Sequence, residues 1–237
     1  MNSLSRDTLL AFGRLTREAL ENSSIRAIVI TGAGDKAFCA GADLKERQGM
    51  SDNDVRRQVE LYRSELGPLD RSPKPVVAAL NGVAFGGGLE LALVCDLRVA
   101  ASHALVALPE TTLGIIPGAG GTQRLPRIVG EARAKEMILL GRRLGAEEAL
   151  AWGLVNRITP GGTSVVDDAV AWIAPIAGGA PIAQAAALEA IDRSFDATLE
   201  QGLELEKVSY DKVLVSEDRL EALKAFADKR KPEFRGR

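Results

Sequence analysis

With 237 residues, 46% hydrophobic and 26% charged at a formal net charge of −2, the chain can bury one large core, or a core plus a small C-terminal appendage, and lacks the cationic excess of a nucleic-acid or anionic-membrane binder. No apolar run approaches the roughly 20 residues of a membrane-spanning helix, and Met1 to Asp7 carry neither a signal-peptide core nor a transit-peptide composition, so a cytoplasmic location is expected. Two dispersed cysteines, Cys39 and Cys95, and a single histidine, His103, argue against a disulfide framework, a zinc site or a histidine-activated nucleophile. His103 reads as a surface loop residue, and the search moves to carboxylates and backbone donors.

Leu9, Phe12, Leu15 and Ala19 fall at helical spacing and predict a helix over residues 5–22. A β-branched strand follows over 25–31, closed by Gly32-Ala33-Gly34. Gly32, Gly34 and Ala37 fit the dinucleotide pattern G-x-G-x-x-[GA], but Gly41 interrupts the helix such a site needs, and residues 54–60 form a charged helical pattern where a second strand should end in an acid. Ser51 reads as the N-cap of a helix reaching Gly67-Pro68, with Asp52 and Asp54 in its first turn. The wholly apolar run 76–80 predicts a strand buried on both faces. Then come a glycine turn, a helix over about 88–95 and short strands over 97–101 and 105–108. A second glycine-rich loop occupies 117–121. Beyond it the pattern predicts helices over 122–128, 131–140 and 146–152, a last strand over 154–158, and helices alone over 163–230. The predicted class is α/β, built of repeated β-β-α units, with residues 1–160 as the core and 161–237 as a helical C-terminal region.

The glycine turn, Asn81 to Ala92, carries the chemistry. Gly86-Gly87-Gly88 lets a ligand approach the main chain, and a helix beginning near Gly88 directs free N–H groups and its positive dipole end at any oxygen that gains charge. Glu90 lies three residues beyond Gly87 on the same face, so a donor and a carboxylate share one pocket. Taken alone, the triplet is better read as a helix packed closely on a strand, with Glu90 an ordinary first-turn acid.

The neighbouring motifs reverse that preference. Phe38-Cys39-Ala40-Gly41-Ala42-Asp43-Leu44-Lys45, Gly86-Gly87-Gly88-Leu89-Glu90, Pro109-Glu110 through Gly118, and Gly120-Gly121-Thr122-Gln123-Arg124-Leu125-Pro126 together closely resemble the crotonase (enoyl-CoA hydratase/isomerase) superfamily, over nearly the whole chain. The resemblance implies the crotonase-like spiral fold, a helical trimerisation region, and assembly as a homotrimer or dimer of trimers. It implies an acyl-CoA thioester substrate, with no cofactor beyond the coenzyme A of that substrate, while the bulk charge and the lack of a long apolar run leave a nucleic-acid or membrane partner unexpected. The backbone N–H groups of Ala42 and Gly87 would form the oxyanion hole. Glu110 would move the proton at Cα, and Glu90 would activate the water that adds at Cβ. Lys36, Ala40, Ala42, Asp43, Leu44, Lys45, Gly87 and Gly118 would contact the acyl-CoA, and Lys229 would reach the CoA of a neighbouring subunit.

Family dienoyl isomerases and aryl dehalogenases carry an aspartate where this chain has Gly118, which argues against both activities. Hydration is therefore expected, with Δ3-Δ2 isomerisation or non-catalytic acyl-CoA or RNA binding as alternatives. The segments 39–47 and 95–102 look most like the methylglutaconyl-CoA hydratase branch. Some of that branch binds RNA, but Lys229-Arg230-Lys231, Arg235 and Arg237 are read as a solvated tail. The family also begins with about two dozen residues before the position of Asn2. A chain truncated there is expected to have an unpaired sheet edge and weakened stability or altered assembly.

Overall fold

The computed structural model describes residues 1–237. Ser5 accepts the amide of Thr8 and caps α1 (Arg6–Glu21), whose Leu9 is fully buried. The chain then runs through β1 (Ile28–Thr31), β2 (Ala37–Cys39), the single turn α2 (Leu44–Arg47) and α3 (Asp52–Asp70). Ser51 and Asp54 form a reciprocal capping box at the start of α3. Next come β3 (Val76–Leu80), β4 (Val83–Phe85), α4 (Gly87–Leu93), β5 (Leu97–Ala100) and β6 (Leu105–Ala107). A 3-10 turn, Glu110–Leu113, leads to α5 (Gly121–Val129), α6 (Glu131–Leu140), β7 (Leu144–Gly145), α7 (Ala146–Ala151) and β8 (Arg157–Ile158). The remainder is helical: α8 (Val165–Ala177), α9 (Pro181–Ser194), α10 (Leu199–Leu214) and α11 (Glu217–Ala227).

Strands β1 to β6 alternate between two sheets, one ordered β1-β3-β5-β8 and the other β2-β4-β6-β7. All ladders are parallel except β6 with β7. This repeated step is the spiral of β-β-α units, and it stacks the loops that follow β2, β4 and β6 at one end of the second sheet. β3 shows why its sequence is apolar throughout. Val76, Ala78 and Leu80 face the main core, while Val77 and Ala79 face Val165, Ala169 and Ile173 of α8.

Two strands escape the sequence patterns. Residues 83–85, read above as part of the glycine turn, and residues 37–39, assigned no strand above, are β4 and β2. Each has three residues, too few to show a period of two, and each is held by the partner strand rather than by its own propensity. The first strand begins at Ile28 rather than residue 25, and the last is only Arg157–Ile158, because the amides of Leu154 and Val155 bond back to Ala149 O. β1 and β2 stand first in the order of their sheets. Beside β2, Leu4 bridges Ala42 in parallel and donates its amide to Gly41 O at 2.8 Å.

The basic tail is folded back. Arg230 pairs with Glu221 at 2.6 Å, Arg237 with Glu217 at 2.7 Å, and the amides of Arg235 and Gly236 donate to Asp218.

Candidate active site

Three loops meet at the ends of β2, β4 and β6, and glycines permit the approach. Gly41 has φ +93°, and a Cβ on it would lie 2.7 Å from Phe85 O. A Cβ on Gly88 would lie 2.0 Å from Cys39 O, so the first turn of α4 sits directly on the end of β2. The packing reading of the triplet is thus correct for Gly88, and it coexists with the chemical one. That close approach sets Gly87 beside the turn after β2, where a Cβ on Gly87 would come within 3.8 Å of Ala42 N. The Ala42 N–H donates to no protein acceptor, and Gly87, as the first residue of α4, has no intrahelical one. Two free donors thus stand side by side. Tyr62 of α3 steadies the arrangement by donating its hydroxyl to Leu4 O at 2.9 Å, and Leu4 in turn holds Gly41.

Glu90 and Glu110 face the same cavity of about 1430 Å³, which Gly87, Gly118 and a stripe of α3 side chains also line. Glu90, 3% exposed, rises one turn into α4. Its Oε1 accepts the amides of Ala119 and Gly121, each at 2.8 Å. Burial pushes its pKa up, and those two donors oppose the shift. Glu110 opens the 3-10 turn after β6 and packs on Gly86, at φ +53°, where a Cβ would lie 3.0 Å from Glu110 Oε1. Glu110 Oε2 is buried without a hydrogen-bond partner. Burial, and secondarily the neighbouring charge of Glu90, raise the Glu110 pKa to about 7. The two environments differ in kind: one carboxyl is supplied with donors that favour the anion, the other has a bare oxygen that favours the proton.

The other predicted contacts separate into groups. Gly118 lines the cavity and accepts from Arg63 Nε at 3.1 Å through its carbonyl. Ala40 and Asp43 flank the Ala42 turn, and Asp43 caps α2 by accepting the Lys45 amide at 2.9 Å. Lys36, Leu44 and Lys45 are exposed and outside the cavity lining. Lys229 follows α11 at φ +55°, exposed and also outside that lining. His103 is exposed, as expected.

Sequence reasoning passed over Ala119 and Gly121, whose amides hold Glu90. The glycine-rich loop was visible, but which carboxylate it would grip depends on the fold. Tyr62 and Arg63 were passed over as well, being ordinary residues of a helical pattern, and Arg47 entered only as the last residue of the 39–47 segment.

The sequence profile of the enoyl-CoA hydratase/isomerase family matches residues 1–237. The chain belongs to that family, the crotonases. Among relatives, the Bacillus subtilis protein YngF is 46% identical over 235 residues, 99% of this chain and 90% of its own length. Methylglutaconyl-CoA hydratase 1 of Pyricularia oryzae is 41% identical over 95% of this chain and 69% of its own. Among solved structures, the enoyl-CoA hydratase from Bacillus anthracis superposes with a TM-score of 0.95 at 47% identity, covering 99% of this chain and 91% of that one. The crotonase spiral expected from the motifs is therefore the fold of this chain, with acyl-CoA thioesters as the family's substrates.

Proposed function

We propose that the protein is an enoyl-CoA hydratase that adds water across the 2,3 double bond of a short or branched 2-enoyl-CoA. The observation that carries this reading is the carboxyl pair. Glu90 is gripped by two amides, and Glu110 holds a proton up to about pH 7 beside it. Hydration needs one group to take a proton from water and another to give one to carbon, and an ionised and a protonated carboxyl together supply both.

The thioester oxygen sits between the N–H groups of Ala42 and Gly87. These stabilise the enolate charge as it develops, each donor contributing on the order of 3 kcal/mol. Glu90 takes a proton from the water whose oxygen bonds to Cβ. Glu110 gives its proton to Cα, and proton exchange with solvent returns the pair to its starting state. The CoA lies along Ala40 to Lys45, with Lys36 and Lys45 near its phosphates and Lys229 reaching across to a neighbouring subunit. No cofactor beyond the substrate's own CoA takes part in these steps. A trimer, or a dimer of trimers, is supported by the apolar side chains that α9 to α11 leave in solvent, among them Ile191 at 60% exposure and Phe226 at 87%. 3-Methylglutaconyl-CoA is a candidate substrate, supported by the Pyricularia relative.

Isomerisation of a 3-enoyl-CoA is the second reading. It is favoured by relatives such as the Zymoseptoria tritici enoyl-CoA isomerase/hydratase, 43% identical over 228 residues. It requires the same oxyanion hole and one working carboxyl.

A substrate panel separates the two. Purified protein is expected to remove the conjugated absorbance of crotonyl-CoA, and Glu90→Gln or Glu110→Gln to lose at least about a hundredfold of that rate. Conversion of a 3-enoyl-CoA to its conjugated isomer, with crotonyl-CoA untouched, would select the isomerase instead.

A further inference from the structure

Most guanidinium groups along the cavity are satisfied. Arg124 is held by both oxygens of Asp70 at 2.8 and 2.7 Å, Arg127 pairs with Asp196 at 3.5 Å, and Arg98 is buried against the carbonyls of Leu154, Ala92 and Cys95. Arg47 and Arg63 line the same cavity, and neither has a carboxylate in ion-pair contact. Arg47 is half-buried at the end of α2, five residues beyond the Ala42 turn. Its Nε donates to Gln58 Oε1 at 3.0 Å, and buried Gln58 is itself anchored through its own amide to Glu46 at 3.0 Å. The fork of Arg47 is therefore oriented while its Nη groups remain available. Arg63 projects from α3 one turn beyond Val59, and its Nε on the Gly118 carbonyl fixes it beside the loop that grips Glu90. Arg71 also lacks a carboxylate, but it lies past the end of α3, roughly 12 Å of helix rise further on.

A purely apolar acyl chain gives these groups nothing to bind, and half-buried Arg47, drawn partly out of water, bears a cost without a counterion. Neither glutamate is in ion-pair contact with these groups: the Arg63 charge acts on Glu90 and the Arg47 charge on Glu110, each favouring the anion, and burial outweighs both. We propose that Arg47 and Arg63 select acyl-CoA esters whose acyl chain ends in a carboxylate, the monothioesters of unsaturated dicarboxylic acids. A guanidinium fork matches a carboxylate in a bidentate, charge-assisted contact, which a lysine or an amide does not reproduce. Val55, Val59 and Leu66 supply the apolar wall for the carbon chain between thioester and terminal charge.

This inference rests on reading the cavity as an acyl-CoA site, and its test keeps the two claims apart. Calorimetry with glutaryl-CoA and valeryl-CoA compares chains of equal length that differ in the terminal carboxylate, and neither has a double bond to turn over. Wild type is expected to bind glutaryl-CoA at least tenfold more tightly. Arg47→Gln and Arg63→Gln should each cut that preference at least threefold, and the double variant should abolish it. Arg63 is exposed, so its variant reports even where the Arg47 variant folds poorly. Equal affinities in wild type, or a preference that survives the double substitution, overturn the proposal and leave the acyl-CoA reading intact. Binding of neither ester overturns both.

Discussion

The residue on which the chemistry turns is Glu110. An ordinary glutamate ionises near 4.5, whereas burial holds this one to about 7, so between those values the folded state keeps a proton that the unfolded chain releases. The folded state then binds more protons, and this group's contribution to stability falls as pH rises from about 4.5 to about 7, with no further change above. Glu110→Gln removes the ionisation. It is expected to raise stability at pH 8 by on the order of 2 kcal/mol relative to wild type, with the gain fading below about pH 5, as urea denaturation at several pH values would record. A stability difference between variant and wild type that is the same at pH 8 and below pH 5 would mean that Glu110 titrates normally. Both glutamates were legible in the sequence because glycine and proline punctuate their surroundings. The difference between them was not, since it depends on the Ala119 and Gly121 amides, about 30 residues from Glu90, and on an oxygen of Glu110 that nothing reaches.

Elements matter through how closely they approach. α4 starts on the end of β2 because Gly88 has no side chain, and a Cβ would lie 2.0 Å from Cys39 O. Gly88→Ala therefore has no local relief. Thermal or denaturant unfolding is expected to show a loss of about 3 kcal/mol or more, with activity falling as the Ala42 and Gly87 donors separate. A neutral Gly88→Ala would show that this contact is looser than its geometry implies. The long helices and β3 were readable because they carry a complete period, 3.6 in α1 and α11 and an unbroken apolar run in β3. β2 and β4 were not, because three residues between glycines acquire strand geometry only from parallel neighbours contributed by distant sequence.

For the whole molecule, the alternation of strands between two sheets places three loops on one cavity, and the helices after residue 165 leave apolar faces in solvent. Light scattering is expected to return three or six times the 25.1 kDa chain mass. Phe226→Glu, placing a charge on one such face, should shift that mass downward; a monomeric wild type would remove the association reading. The central claim is that two carboxyls in opposed environments add water to a conjugated thioester. It is tested most directly by incubating wild type and Glu110→Gln with crotonyl-CoA in oxygen-18 water and weighing the acyl product. The predicted result is a hydroxyacyl-CoA carrying one heavy oxygen in wild type and almost none in the variant. Equal incorporation by both proteins, or an unhydrated acyl group from a folded wild type, would contradict it.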